Sequence, residues 1–183
     1  MPWEIIIFSL LGIIVVTLIW GLLAANHFQK LIKHIEEAEK AIEQTLIKRC
    51  QFFQEIYQLS QKHLKHEKEF LQQVCDIEQL EKDASLDKKQ AFSNHISKGF
   101  QILFRAVDDN PELKNNAKMS KLMNQTIEND EQIQASKRIY NTYVSQYNQK
   151  VVVFPSHIIA QLKKLTKRPF FEVEPLLNEE SIT

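Results

Sequence analysis

Glycine and proline are scarce in this chain, with 3 and 5 among 183 residues. Sheets need turns, and turns draw on these two residues, so the shortage excludes most strand-rich folds and points to an all-α chain. No glycine follows Gly99. That removes a glycine-rich phosphate loop and a Gly-x-Ser-x-Gly nucleophile elbow from the C-terminal half. Net charge is missing as well, because 23 Lys and Arg balance 23 Asp and Glu. Without a surplus of cations there is no electrostatic footprint for DNA or RNA, and no nucleic-acid partner is expected. Cysteine is limited to Cys50 and Cys75. An unbroken helix would hold the two about 37 Å apart, too far to bridge, and reduced thiols fit a cytoplasmic setting.

What the chain does have, first, is an uncharged apolar run from Ile5 to Ala25. At about 21 residues it matches the length that crosses a hydrocarbon core as a helix. Trp3 and Trp20 sit near its ends, where amphipathic rings favour the headgroup zone. A cleaved signal peptide fits less well: there is no basic leading segment, the run is long, and Leu23-Ala24-Ala25 is a poor cleavage site. Lys30, Lys33 and Lys40 follow the run while Glu4 precedes it, so the positive-inside rule directs the rest of the chain to the cytoplasm. The expected organisation is a short non-cytoplasmic terminus over 1–4, a transmembrane helix over 5–25, a helical bundle domain over 26–174 and a flexible tail over 175–183. That length leaves room for one soluble domain with one core.

Between Gly21 and Gly99 there is neither glycine nor proline. Leu31, Ile35, Ala38, Ile42, Leu46, Phe53, Ile56, Leu64, Leu71, Val74 and Ile77 recur at helical spacing, which predicts one very long helix. A break falls around Lys82 to Asp87, where Ser85 or Asp87 can cap a second helix running to about Val107. Asp108-Asp109-Asn110-Pro111 is the clearest turn signal, and a third helix is predicted to start near Leu113. On that helix Met123, Thr126, Asp130, Ile133, Lys137, Tyr140, Val144, Tyr147 and Val151 alternate three and four apart, a coiled-coil-like seam that calls for an antiparallel partner. The first helix is the obvious one. Pro155 ends this stretch, and Ser156 is placed to cap a short helix reaching Leu165. The fold class is therefore all-α: an N-terminal transmembrane helix followed by an antiparallel bundle of three to four long helices.

Several runs carry a resemblance: Lys137-Arg138-Ile139-Tyr140-Asn141, Val144 with Tyr147-Asn148, Phe154-Pro155-Ser156, and Lys167-Arg168 ahead of Phe170-Phe171-Glu172. With Asn110-Pro111-Glu112-Leu113-Lys114, Glu128, Asp130, His66-Glu67 and Lys48-Arg49, they make the chain similar to the LemA family of bacterial membrane proteins over nearly its whole length. One departure is that the family commonly follows the basic pair with an aspartate and a Pro-Asn-Leu stretch. Here Gln51-Phe52-Phe53-Gln54-Glu55-Ile56 has neither acid nor proline. The resemblance implies a bundle of long helices behind an anchor in the bacterial inner membrane. It implies no particular reaction. It also implies partners among other membrane proteins, a membrane zinc metalloprotease among them; self-assembly with a second copy of the chain is a separate expectation of the scaffold reading.

Candidate sites are few. His63, His66 and Glu67 share a helix face and are the weak candidates for metal ligation, although such spacings recur by chance on solvated faces and no cofactor is expected. A ferritin-type di-iron site is excluded, since no histidine has an acid three positions before it. Arg49, Glu67, Asp130, Lys137 and Arg138 interrupt the apolar periodicity and admit two readings. One is a polar layer that fixes helix register; the other is a ligand pocket between helices. Tyr140, Tyr143 and Tyr147, with Asn141 and Asn148, are expected to pack on the first helix. Val151-Val152-Val153-Phe154 with Ile158, Ile159, Leu162 and Leu165 either closes the end of the bundle or docks on a partner or bilayer. Two functions follow: a non-enzymatic scaffold or adaptor that organises other membrane proteins, or a ligand- or metal-binding sensor or enzyme.

Overall fold

The computed structural model describes residues 2–64, 74 and 85–172. Among these, every regular element is a helix: α1 (Pro2–Ser60), α2 (Leu86–Asp108), α3 (Pro111–Lys114), α4 (Ala117–Val152) and α5 (Ser156–Leu162). The chain is all-α. It divides into two compact units, one of Met1–Glu37 with Tyr140–Phe170, the other of Ala38–Ile139 with Phe171–Thr183. The tail over 175–183 lies outside the described residues.

In the first unit, α1 opens with side chains that no protein group covers. Ile5, Phe8 and Leu22 are 72, 73 and 67% exposed. One 18-residue window is long and apolar enough to cross a membrane, and none of it is buried within the protein. This separates it from a core helix, which hides its apolar stripe against neighbours. Burial begins at Phe28, Leu31 and Ile35, and is matched on α4 by Tyr140, Val144 and Tyr147. Phe28 meets Tyr147 edge-on at 5.9 Å, and His34 stacks on Tyr143 at 5.0 Å. Partners descend along α4 as they ascend along α1, so the two run antiparallel. Tyr143 and Tyr147 accordingly pack on the first helix.

The end of α4 differs in detail from the sequence expectation. Ser156 does not cap α5; its hydroxyl donates backwards to the carbonyls of Lys150 and Val153 at 2.8 and 2.9 Å. Carbonyls in the last turn of a helix lack intrahelical partners, and a neighbouring hydroxyl satisfies them. The short helix also stops at Leu162, before Leu165. Lys164 turns to φ 53° and the Leu165 amide donates to Ala160 at 2.8 Å, a left-handed C-terminal closure that spacing alone does not reveal.

In the second unit, α1 supplies Ile42, Leu46, Phe53 and Ile56 to the core, all at or below 1% exposure. These rows face Phe92, Ile96, Phe100 and Leu103 of α2 and Leu122 and Ile133 of α4, which are also buried. Full burial of one such side chain contributes about 1.5–3 kcal/mol. Phe53 and Phe100 cross edge to face at 5.2 Å. Gly99 makes this closeness possible, because a Cβ there would lie 2.7 Å from Phe53 Cε2 and 2.9 Å from Val74 Cγ1. Without a proline in 51–56, α1 passes through that stretch as regular helix.

Two boundaries correct the sequence expectation. The long first helix ends at Ser60 rather than near Lys82, and a turn follows, closed by His63 N–H donating to the Ser60 carbonyl at 2.9 Å. No glycine or proline marks the place. Ser60 is fully buried and its hydroxyl donates back to Ile56 at 2.8 Å, a bond that competes with helix continuation. The unbroken helix assumed between the cysteines therefore does not exist; Cys50 is buried and Cys75 lies outside the described residues. The third helix expected from Leu113 is instead one turn, α3, capped by Asn110, followed by α4 from Ala117. The Asn116 carboxamide accepts from the amides of Lys118 and Met119, a cap that starts the new helix.

Candidate functional site: a buried polar layer

Thr126, Asp130, Ile133 and Lys137 project from one face of α4, three and four residues apart, and all are buried. Two of the four are ionisable, so this face needs charged partners. Arg49 of α1 supplies one: its Nη2 lies 3.0 Å from Asp130 Oδ1, with the side chains 1 and 2% exposed. The guanidinium also sits 5.6 Å from the centre of the Phe100 ring, whose negative face attracts it. Lys137 donates to Ser93 Oγ at 3.2 Å and lies 5.8 Å from the Phe171 ring centre. Taking each ion from water costs several kcal/mol, and only such pairing and hydrogen bonding offset it.

The layer is wider than the seam suggests. Asn129 and Gln134 are 3 and 2% exposed, and both carboxamide atoms of Asn129 lack a hydrogen-bond partner among the described residues. Their signal was present in the sequence as positions flanking Asp130 and Ile133 on the same helical face. Lys89, not among the sequence candidates, is a further member. It is 3% exposed and is bound by Glu39 at 2.6 Å and by Glu43. Burial acts to lower its pKa, but the bonds from the two carboxylates outweigh this and hold the ammonium above its ordinary value.

The folded state thus binds this proton more tightly than the unfolded chain. The stabilisation is complete below the ordinary lysine value of about 10.4 and is lost as pH rises through the higher folded value. Helix content of the detergent-solubilised chain is therefore expected to fall more steeply above that pH in wild type than in Lys89→Met. Equal alkaline slopes would contradict the pairing.

Other sequence candidates are placed differently. Arg138 is exposed, one residue round the helix from inward-facing Lys137. Glu67 and His66 lie outside the described residues. His63 is half-buried, with Nδ1 2.7 Å from Asn110 Nδ2 and Nε2 4.0 Å from Glu112 Oε2. His63 and Asn110, with Leu64, Ile102, Arg105, Ala106 and Asp109, line a cleft of about 370 Å³. Among the described residues no group of three His, Cys, Asp or Glu side chains is placed to hold a metal ion.

In the first unit, the Tyr-Asn pairs of α4 hold the segment that follows α5. The Asn148 carboxamide donates to the Arg168 carbonyl and accepts from its amide, both at 2.8 Å. Tyr140 donates its hydroxyl to the Pro169 carbonyl at 3.3 Å, and Arg168 lies 5.7 Å from the Tyr147 ring centre. Asn141 is half-buried, while Phe154 and Pro155 are exposed.

The chain is an all-α protein whose N-terminal helix is, by length and composition, a candidate membrane span. The chain belongs to the LemA family, whose model matches residues 38–182. The match starts beyond the apolar run and covers Arg49, Asp130, Lys137 and the Tyr-Asn pairs of α4. No curated protein matches the chain.

Proposed function

We propose that this chain is a membrane-anchored helical scaffold or adaptor of the LemA type. It presents its helices on the cytoplasmic face of a bacterial cell membrane, engages other membrane proteins or a second copy of itself, and catalyses no reaction. The observation that supports this most directly is the Arg49–Asp130 pair. Both charges are about 98% or more removed from solvent and are engaged with each other, which suits register-fixing between helices better than contact with a substrate. The cations at Lys30, Lys33 and Lys40, against Glu4 on the short side, support the orientation.

Cys50 is fully buried and would stay unlabelled on either side of a membrane, so an exposed reporter at Lys121→Cys is required. We expect this cysteine to resist an impermeant thiol reagent in intact cells and react after permeabilisation. Crosslinking from the same position in native membranes is expected to give a discrete species of fixed stoichiometry. Labelling in intact cells would reverse the orientation, and a monomer alone would count against the scaffold.

The second reading, a ligand- or metal-binding sensor or enzyme, draws on the cleft around His63 and Asn110. A stoichiometric ion in untagged protein that is lost in His63→Ala would establish it over the scaffold.

A further inference from the structure

Beyond the uncharged run of α1, the exposed apolar side chains of the first unit are concentrated at one corner. Val152, Val153, Phe154, Ile158 and Leu162 are 42 to 76% exposed, and Ile158 and Leu162 are one turn apart on the same side of α5. Leaving such a patch in water is unfavourable, and patches of this kind mark contact surfaces. Its charge surroundings are one-sided. From Lys150 to Phe171 the chain contains no Asp or Glu, yet it contains Lys150, Lys163, Lys164, Lys167 and Arg168. In a protein of zero net charge, that is a local basic segment wrapped around an apolar one.

The position of this corner identifies what covers it. Ile159 Cδ1 lies 3.8 Å from where a Cβ on Gly21 would stand. Gly21 falls inside the uncharged run, four residues before its end at Ala25, which is about 6 Å of helix. Trp20, next to it, is the ring expected at the headgroup boundary. Any segment packed against position 21 is therefore level with the edge of the hydrocarbon. Interfacial amphipathic helices bury their apolar faces about 5–10 Å into that same zone, with Lys and Arg toward anionic headgroups.

We propose that residues 150–170 form a second, peripheral membrane contact: the apolar side of Phe154, Ile158 and Leu162 enters the bilayer surface beside the anchor, and the surrounding cations bind anionic lipid headgroups. The antiparallel packing of α4 on α1 returns the end of α4 to the exit point of the anchor. Two contacts, rather than the anchor alone, then hold residues 150–170 and the end of α4 at the membrane surface. The Asn148–Arg168 and Tyr140–Pro169 bonds give this contact a mechanical link to α4.

This inference rests on the reading of residues 5–25 as the membrane span, and the test separates the two. The full chain, with Cys50→Ala and Cys75→Ser, carries an environment-sensitive fluorophore on one cysteine at Leu162, Thr142 or Ile14. It is reconstituted in vesicles of phosphatidylcholine and phosphatidylglycerol containing lipids that carry a quencher at either a shallow or a deep acyl position. Leu162 is 76% exposed, so a cysteine there removes no packing.

Leu162→Cys is expected to be quenched several-fold more strongly by the shallow label than Thr142→Cys, and less when phosphatidylglycerol is omitted. Ile14→Cys is expected to respond most to the deep label. Quenching at Ile14 without quenching at Leu162 would overturn the second contact and leave the anchor standing. Absence at both would overturn the anchor and the contact together. A Leu162 probe that stays in water in vesicles but is shielded in native membranes would replace the lipid with a protein partner and so defeat the proposal.

Discussion

Asp130→Ala is expected to destabilise the folded chain by about 3–5 kcal/mol, because it removes a carboxylate paired with the buried Arg49 guanidinium. The size of the effect comes from burial. Arg49 is 1% exposed and cannot swing into water without displacing α2 residues such as Phe100, against which it lies. An exposed pair such as Lys114–Asp108 at 3.0 Å would contribute about 0–1 kcal/mol by comparison. The double variant Arg49→Met with Asp130→Leu is expected to recover most of the loss, since replacing both charges by apolar groups of similar volume is often neutral or stabilising. Denaturant unfolding of the detergent-solubilised chain, followed by circular dichroism, checks both. If the double variant is no more stable than Asp130→Ala, loss of the Arg49–Asp130 attraction does not account for the destabilisation.

Phe100→Ala is expected to cost a similar amount, about 3–5 kcal/mol, as large aromatic truncations in cores do. Phe100 is fully buried and packs on Phe53 at 5.2 Å and Phe104 at 5.6 Å. Its ring also faces the Arg49 guanidinium, so its loss removes apolar contacts and one neighbour of the buried cation together. Phe100→Leu keeps most of the volume and is expected to lose less. Unfolding midpoints for the two variants, measured as above, test this order; equal midpoints would mean that ring and aliphatic side chain are interchangeable there.

Much of this architecture was legible in the sequence. The seam on α4 places Thr126, Asp130, Ile133, Lys137, Tyr140, Val144 and Tyr147 inward, and all seven are buried; Met123 and Val151, at its ends, are half-buried. Helical geometry explains that success, because residues three and four apart share a face whatever the partner is. Arg49 and Asp130 could be singled out as charges on apolar faces for the same reason. Lys89 stands on the apolar face of α2 in the same way, three and seven residues before Phe92 and Ile96, but its partners Glu39 and Glu43 are far away in sequence and only packing brings them near. The termination of α1 at Ser60 was also hidden, having neither glycine nor proline to announce it.

By itself, then, the sequence determined the all-α class, the uncharged run of membrane-spanning length and the inward faces of the helices. Each of these follows from composition or from a local period. Only the tertiary structure decided which buried charge meets which, that Ser156 closes α4 rather than opening α5, and that the apolar corner around Leu162 stands beside Gly21. Those outcomes depend on side chains distant in sequence competing for the same space and the same hydrogen bonds, and no local pattern records who wins.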